Sequence, residues 1–269
     1  MVARLKELIR YRELVRSFVV RDLKVRYKNS FLGFAWSLLN PLGMMIIFTV
    51  VFTIMLPYSK VEKFPVFFLC ALLPWNFFSA SVIRSINSIV GNAALVKKVY
   101  FPREVLPLSV VLSNCVNFIL ALVVLFVMIG VFQIRLTPWA LLLPMVMLIQ
   151  VIFTVGVALF LSTLNVFYRD TQVIMEVVML AWFFLTPIFY PITVLPQRYA
   201  LLGIILDVQR LVYILNPMAS LIASYRVILY HGAPPALDFF SRTAVTAIAA
   251  LAAGYLFFAR YSKIFAEEI

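Results

Sequence analysis

One histidine, His231, and two cysteines, Cys70 and Cys115, are all the 269 residues hold of thiol and imidazole chemistry. A single histidine excludes a His-based metal centre and a Ser-His-Asp triad. Both cysteines fall inside apolar runs at a spacing that suits neither a zinc site nor a redox pair, so they read as small buried hydrophobes. No GxxxxGK[ST] loop is present, so the chain cannot hydrolyse ATP by that route. HExxH, CxxC and paired-carboxylate signatures are missing too. Intramembrane carboxylates would mark an ion-coupled carrier, and Glu176 is the one candidate, facing either a wet cavity or the inner headgroups.

Charge is also scarce. Charged residues make 13% of the chain, where a soluble domain has roughly a quarter. Apolar residues reach 64% and the mean hydropathy is +1.04. Such a chain cannot cover a water-facing surface, so lipid is its main solvent. The net charge of +12 would suit nucleic acid in a soluble protein. Here the cations cluster at one end and between apolar runs, which fits the positive-inside rule and anionic headgroups, with no nucleic acid partner.

A membrane-crossing helix needs roughly 20 apolar residues. Six runs qualify: 31–56, 66–86, 105–132, 139–167, 171–190 and 239–259. Pro41 should kink the first. Before it, residues 4–18 place Leu5, Leu8, Leu14, Val15 and Phe18 at helical spacing, with Arg4, Arg10, Arg12 and Arg16 on much of the other face. That pattern predicts an amphipathic helix in the membrane surface. No cleavable signal peptide precedes the first span, which is expected to act as an uncleaved anchor.

Residues 191–230 are apolar but broken by Pro191, Pro196, Asp207, Arg210, Pro217 and Arg226. They predict two short helices, 199–213 and 217–230, that dip into the membrane and return. One poor full span is the alternative, and it would put the chain ends on opposite sides. The fold class is thus all-α integral membrane. The expectation is one permease domain over 1–269: an interface helix and basic arm (1–30), a six-span bundle (31–260) and a tail (261–269). Of the 23 Lys and Arg, fifteen fall with the termini and seven opposite, which predicts both termini in the cytoplasm.

Four stretches carry a resemblance: RDLKVRYKNSFLGFAWSLLNPL (21–42), NAALVKKVYFPREVLPLS (92–109), NVFYRDTQVIMEVVMLAWFFLTPIFYPI (165–192) and YILNPMASLIASYR (213–226). In that order they resemble segments of type-2 ABC-transporter permeases of the polysaccharide-export group, which includes O-antigen, teichoic-acid and capsule exporters. The resemblance implies a homodimer in the bacterial inner membrane, with two ATPase subunits docked on its cytoplasmic face. ATP and Mg would be bound by those partners, leaving this chain without a cofactor. The cargo would be an undecaprenyl-diphosphate-linked polysaccharide.

The same resemblance implies residue roles. Residues 94–104 would form a coupling helix in a groove of the ATPase. Tyr100 and Phe101 would be its apolar anchors, and Lys97, Lys98, Arg103 and Glu104 would set its register. A plain membrane-surface loop is the alternative. Arg169 and Asp170 would make a second ATPase contact, or merely cap adjacent helices. Arg21, Lys24, Arg26 and Lys28 would receive the lipid diphosphate, since guanidinium pairs with phosphate oxygens, or would serve as ordinary headgroup anchors. Trp182, Phe183, Phe184, Phe189 and Tyr190 would supply two or three ring faces along the sugar path, the rest being packing. The half-helices before 230 would form an outer gate. A permease for a drug or small lipid is the nearest alternative. A membrane-embedded transferase would need a His or carboxylate cluster that the sequence lacks.

Overall fold

The computed structural model describes residues 10–28, 32–55, 61–201 and 204–269. The start of the expected surface helix (4–9), Ser30-Phe31 and Lys60 lie outside them. α1 (Arg12–Tyr27) precedes α2 (Trp36–Thr49), which continues as π-helical turns over Val50–Met55. Then come α3 (Phe64–Ile86), the short α4 (Ala93–Lys98), α5 (Val105–Val131) and α6 (Leu143–Phe167), which a 3-10 turn over Pro138–Leu142 leads in. After α7 (Thr171–Leu185) follow β1 (Arg198–Leu201), β2 (Ile204–Asp207), α8 (Val208–Leu215) and α9 (Pro217–Leu229). α10 (Leu237–Tyr261) and the final turn α11 (Phe265–Glu268) follow.

Five segments are long and apolar enough to cross a bilayer: Trp36–Met55, Phe64–Ile86, Val105–Val131, Pro138–Phe167 and Leu237–Tyr261. They correspond to the expected first to fourth and sixth spans. α7 differs from expectation. It has 15 residues, roughly 22 Å at the helical rise, against a hydrocarbon core of about 30 Å. The sequence places this span out to Tyr190, but the helix stops at Leu185. Pro187 lacks the N–H to continue it and biases Thr186 toward the extended backbone it adopts (φ −98, ψ 134). α1 also differs: it runs on to Tyr27, so Arg21, Lys24 and Arg26 lie on a helix and not in a loose arm.

Contacts divide the bundle into two ends. At the basic end, Phe18 of α1 meets Phe101, Phe167 meets Phe265, and the Asn87 side chain donates to that of Gln172. At the opposite end, Lys63 reaches Gln133 O and Thr137 reaches Gly232 O. α3 is the hub: 78% of its apolar window is buried, against 11% for α2. Its rings stack on three neighbours, with Phe68 on Phe48 (4.6 Å), Phe77 on Phe118 (5.2 Å) and Phe78 on Phe153 (5.4 Å). Gln150 at the centre of α6 donates to Pro74 O (2.7 Å) and accepts from Tyr225 OH (2.7 Å). These bonds tie α3, α6 and α9 together where no water competes.

The segment after α7 corrects a second expectation. The first half-helix does not begin near 199. Arg198–Leu201 and Ile204–Asp207 are antiparallel strands that pair Arg198 with Asp207, and helix starts only at Val208. Asp207 fixes that start, because its side chain accepts from Arg210 N (3.0 Å) as an N-cap. Asn216-Pro217 then ends α8 and begins α9: Asn216 caps Ala219 N, and Pro217 sits at the first helical position. The two helices meet at 104°. Tyr213 of α8 packs on Phe239 in the first turn of α10 (5.2 Å), and Ala233 N bonds Val227 O just past the end of α9.

Candidate functional site

Three regions hold the residues that the sequence points to. The first is the surface of the basic end. α4 covers only Ala93–Lys98, and residues 99–104 continue as extended chain and turn, shorter than the helix expected over 94–104. Lys97, Lys98 and Val99 are exposed, and Tyr100 is 88% exposed. Phe101 turns the other way. It is buried with Phe18, Val96, Val105, Phe258 and Phe265 in a second apolar cluster, so it is not a free anchor on the surface. Glu104 is buried beside it, and Arg103 lies over the Phe265 ring (6.0 Å). Burial holds Arg103 below the usual arginine range, and the neighbouring Glu104 opposes that shift. Arg169 and Asp170 are exposed in the same end's second turn. Asp170 stands at the N-cap of α7 but makes no side-chain cap bond.

The second region is a cavity of about 520 Å³ between α1, α2, α3 and α5. Two arginines line it, Arg26 from α1 and Arg84 from α3, together with Asn40, Asn76, Asn114 and Asn117. Arg26 pairs with Asp22 (3.2 Å), whose carboxylate also accepts from Ser113, and Tyr27 OH donates to Asn117 Oδ1 (2.9 Å). These bonds moor α1 along α5. Arg26 Nε is buried without a partner among the described residues. A cavity holding two guanidinium groups and four amides offers donors for an anionic, hydroxylated headgroup. Of the four cations expected to receive a lipid diphosphate, only Arg26 lines this cavity. Arg21 lies over the Phe18 ring (4.4 Å) and reaches Asn92 Oδ1 (3.4 Å), while Lys24 and Lys28 are exposed.

The third region is aromatic. Phe183 contacts Trp75 (5.7 Å) and Phe189 (6.0 Å), and Phe189 stacks on Phe52 (5.0 Å). The Trp182 indole donates to Asn216 Oδ1 (2.8 Å). Tyr190 OH donates to Phe184 O (3.2 Å). Phe184 is the most exposed of the five (56%), with its ring edge-on to Phe183 (5.5 Å) and Phe189 (5.8 Å). Nearby, a cavity of about 950 Å³ at the end opposite the basic one is lined by Lys63, Arg135, Tyr213, Arg226, Tyr230 and His231 among others. Burial, and then Arg226, hold the His231 imidazole below its ordinary range. Sequence reasoning missed Arg84, the asparagines and the role of Asn216. The signal was available for Arg226, a lone cation inside an apolar stretch.

A bundle of five helices long and apolar enough to cross a bilayer defines a multi-pass integral membrane protein. The chain belongs to the ABC-2 type transporter family, whose pattern matches residues 13–230. It is 38% identical over 271 residues, spanning all of both chains, to the O-antigen export system permease protein RfbA of Myxococcus xanthus. It is 35% identical to the protein of the same description from Klebsiella pneumoniae, over 79% of this chain and 78% of that one. The polysialic acid transport protein KpsM of Escherichia coli is 22% identical over 69% of this chain and 72% of its own.

Proposed function

We propose that this chain is the transmembrane subunit of an ATP-driven exporter that moves lipid-linked polysaccharide from the cytoplasmic to the outer side of the bacterial inner membrane. The observation that carries the reading is likeness along the entire chain to an O-antigen export permease. Both termini are cytoplasmic in this reading, as the excess of cations at the basic end favours. ATP and Mg are bound by two partner ATPase subunits. Lys97, Lys98 and Tyr100 form the projecting contact with them, and Arg169 and Asp170 the smaller one.

The cargo is an undecaprenyl-diphosphate-linked glycan of O-antigen, teichoic-acid or capsule type. Its diphosphate meets Arg26 and Arg84 in the cavity beside α1, a pairing that the buried, unpartnered Arg26 Nε supports. Its sugars pass the aromatic stretch 182–190, since sugar rings slide over aromatic faces. The path lies between two copies of the chain.

The test is reconstitution with the ATPase in vesicles loaded with lipid-linked glycan. ATP should drive glycan to the far side, and the permease alone should move none. Uphill movement without the ATPase would overturn the reading. ATP-driven export of a drug or short lipid with no glycan movement would favour the nearest alternative.

A further inference from the structure

α7 ends inside the bundle after 15 residues, and a helix end leaves its last carbonyls without helical partners. In a membrane those groups must be satisfied by protein. Thr186 meets Phe183 O through its N–H and Trp182 O through its hydroxyl, Tyr190 OH meets Phe184 O, and Asn216 Nδ2 reaches Leu185 O (3.5 Å), while Arg226 of the bent helix pair meets the carbonyls just past the end. Arg226 Nη1 donates to Pro187 O (2.5 Å), Nη2 to Ile188 O (2.5 Å) and Nε to Phe67 O (3.3 Å). Its guanidinium also lies 3.6 Å from the centre of the Phe67 ring. Arg226 is only 7% exposed, and no carboxylate pairs with it among the described residues. It acts as a cation against a broken helix end, where the backbone is electronegative.

Asn216 makes the second tie. Its Oδ1 accepts from Trp182 Nε1 (2.8 Å) and its Nδ2 donates to Thr186 Oγ1 (2.9 Å), while it still caps α9. α9 itself is fixed to the core through Tyr225 and Gln150. α8, by contrast, buries no residue.

We propose that Asn216 and Arg226 are positioning residues for transport. They lock the broken end of α7, and the aromatic stretch it carries, to α9 as one static wall, so that opening of the outer end falls to α8 beyond the Asn216 bend. The proposal rests on the reading of residues 182–190 as part of the glycan path. Neither residue belongs to that path itself.

A cysteine pair tests it. Cys70 and Cys115 are first replaced by Ala, and T186C/N216C is introduced in the reconstituted permease–ATPase complex. Reduced, the pair has lost the Asn216 bonds, and ATP-driven export should fall about tenfold. Oxidised, the disulfide restores the tie, and export should recover to within about twofold of the Cys-less parent. A merely structural role would lower the melting temperature and the yield of folded complex and leave export per folded complex at the parent's level, and oxidation that stops export would show that these segments separate in each cycle. R226K should export more than R226Q, because it keeps a cation at the Pro187 and Ile188 carbonyls; equal export by R226Q and the parent overturns the Arg226 half. If the parent complex moves no glycan, the functional reading fails on its own. The wall is then judged by ATP turnover: unchanged on oxidation it stands, and halted it falls.

Discussion

Gly156 of α6 and Gly254 of α10 meet so closely that a β-carbon on Gly254 would lie 2.0 Å from Gly156 O. A β-carbon on Gly156 would lie 2.5 Å from Leu251 N and 2.6 Å from Ala250 O. All these neighbours are backbone atoms, which cannot swing aside. Small residues let helix backbones approach this closely in lipid, where packing and not hydrophobic exclusion holds helices together. G254A should therefore force α6 and α10 apart. Overpacking a tight contact costs about 1–3 kcal/mol, and a backbone clash belongs at the upper end. Thermal unfolding in detergent should shift down for G254A and G156A, while G43A, which would meet nothing within 4 Å, should melt as the parent does.

Tyr100 and Phe101 are neighbours with opposite roles. Tyr100 projects from the basic end, and Phe101 is buried against Phe18 and the α10–α11 junction. Y100A and the charge reversals K97E and K98E should leave the melting temperature unchanged. They should lower ATPase association and uncouple turnover from export. F101A should destabilise the subunit by about 3–5 kcal/mol, as buried Phe-to-Ala changes do, with α1 loosened as a consequence. Pull-down of the ATPase alongside a thermal melt separates the two. If Y100A and K97E/K98E bind and couple normally, the contact surface lies elsewhere.

Arg84 and Arg26 face one cavity from different helices. A hydrogen bond to a charged group contributes about 1.5–3 kcal/mol, so R84Q should raise the KM for lipid-linked glycan about 10- to 100-fold with little change in kcat. Basal ATP hydrolysis should be untouched. R26Q should do the same and also loosen α1, because Arg26 pairs with Asp22. Initial-rate export assays at varied substrate decide it. A fall in kcat at constant KM would remove the cavity from substrate binding.

Much of the architecture was legible because lipid permits so few solutions. A run such as 105–132 must become a helix, and the observed helix spans Val105–Val131. What was not legible depends on contacts distant in sequence. Within 171–190 only Pro187 warns that the helix stops at Leu185, since the side chains that hold the chain just past that end, Asn216 and Arg226, come some 30 to 40 residues further on. The strands 198–201 and 204–207 are as apolar as the helix expected there, and the Asp207 cap marks where helix begins. Phe101 reads as apolar in sequence, but its direction follows from Phe18 and Phe265 at opposite ends of the chain. For the cavity, Arg84 was visible as a cation near a span end. Its partnership with Arg26 and four asparagines needed the packing of four helices.

Phe183 and Phe184 offer the sharpest division within the aromatic stretch. Phe183 contacts Phe48, Trp75 and Phe189, whereas Phe184 touches only Phe183 and Phe189 among the described rings and is 56% exposed. Losing Phe183 leaves a cavity in a packed cluster, so F183A should lower stability by about 3–5 kcal/mol and reduce export only through lost protein. F184A removes a half-exposed ring that meets the cluster only at its edge. It should leave the melt within about 0.5 kcal/mol of the parent, the usual range for surface changes. If Phe184 presents its face to the passing glycan, export per folded complex should fall severalfold while ATPase assembly is retained. F184Y and F184W, which keep a ring face, should restore it, and F184L, which keeps only the apolar bulk, should not. Equal export by F184L and F184W would reduce Phe184 to apolar packing against lipid or the second copy.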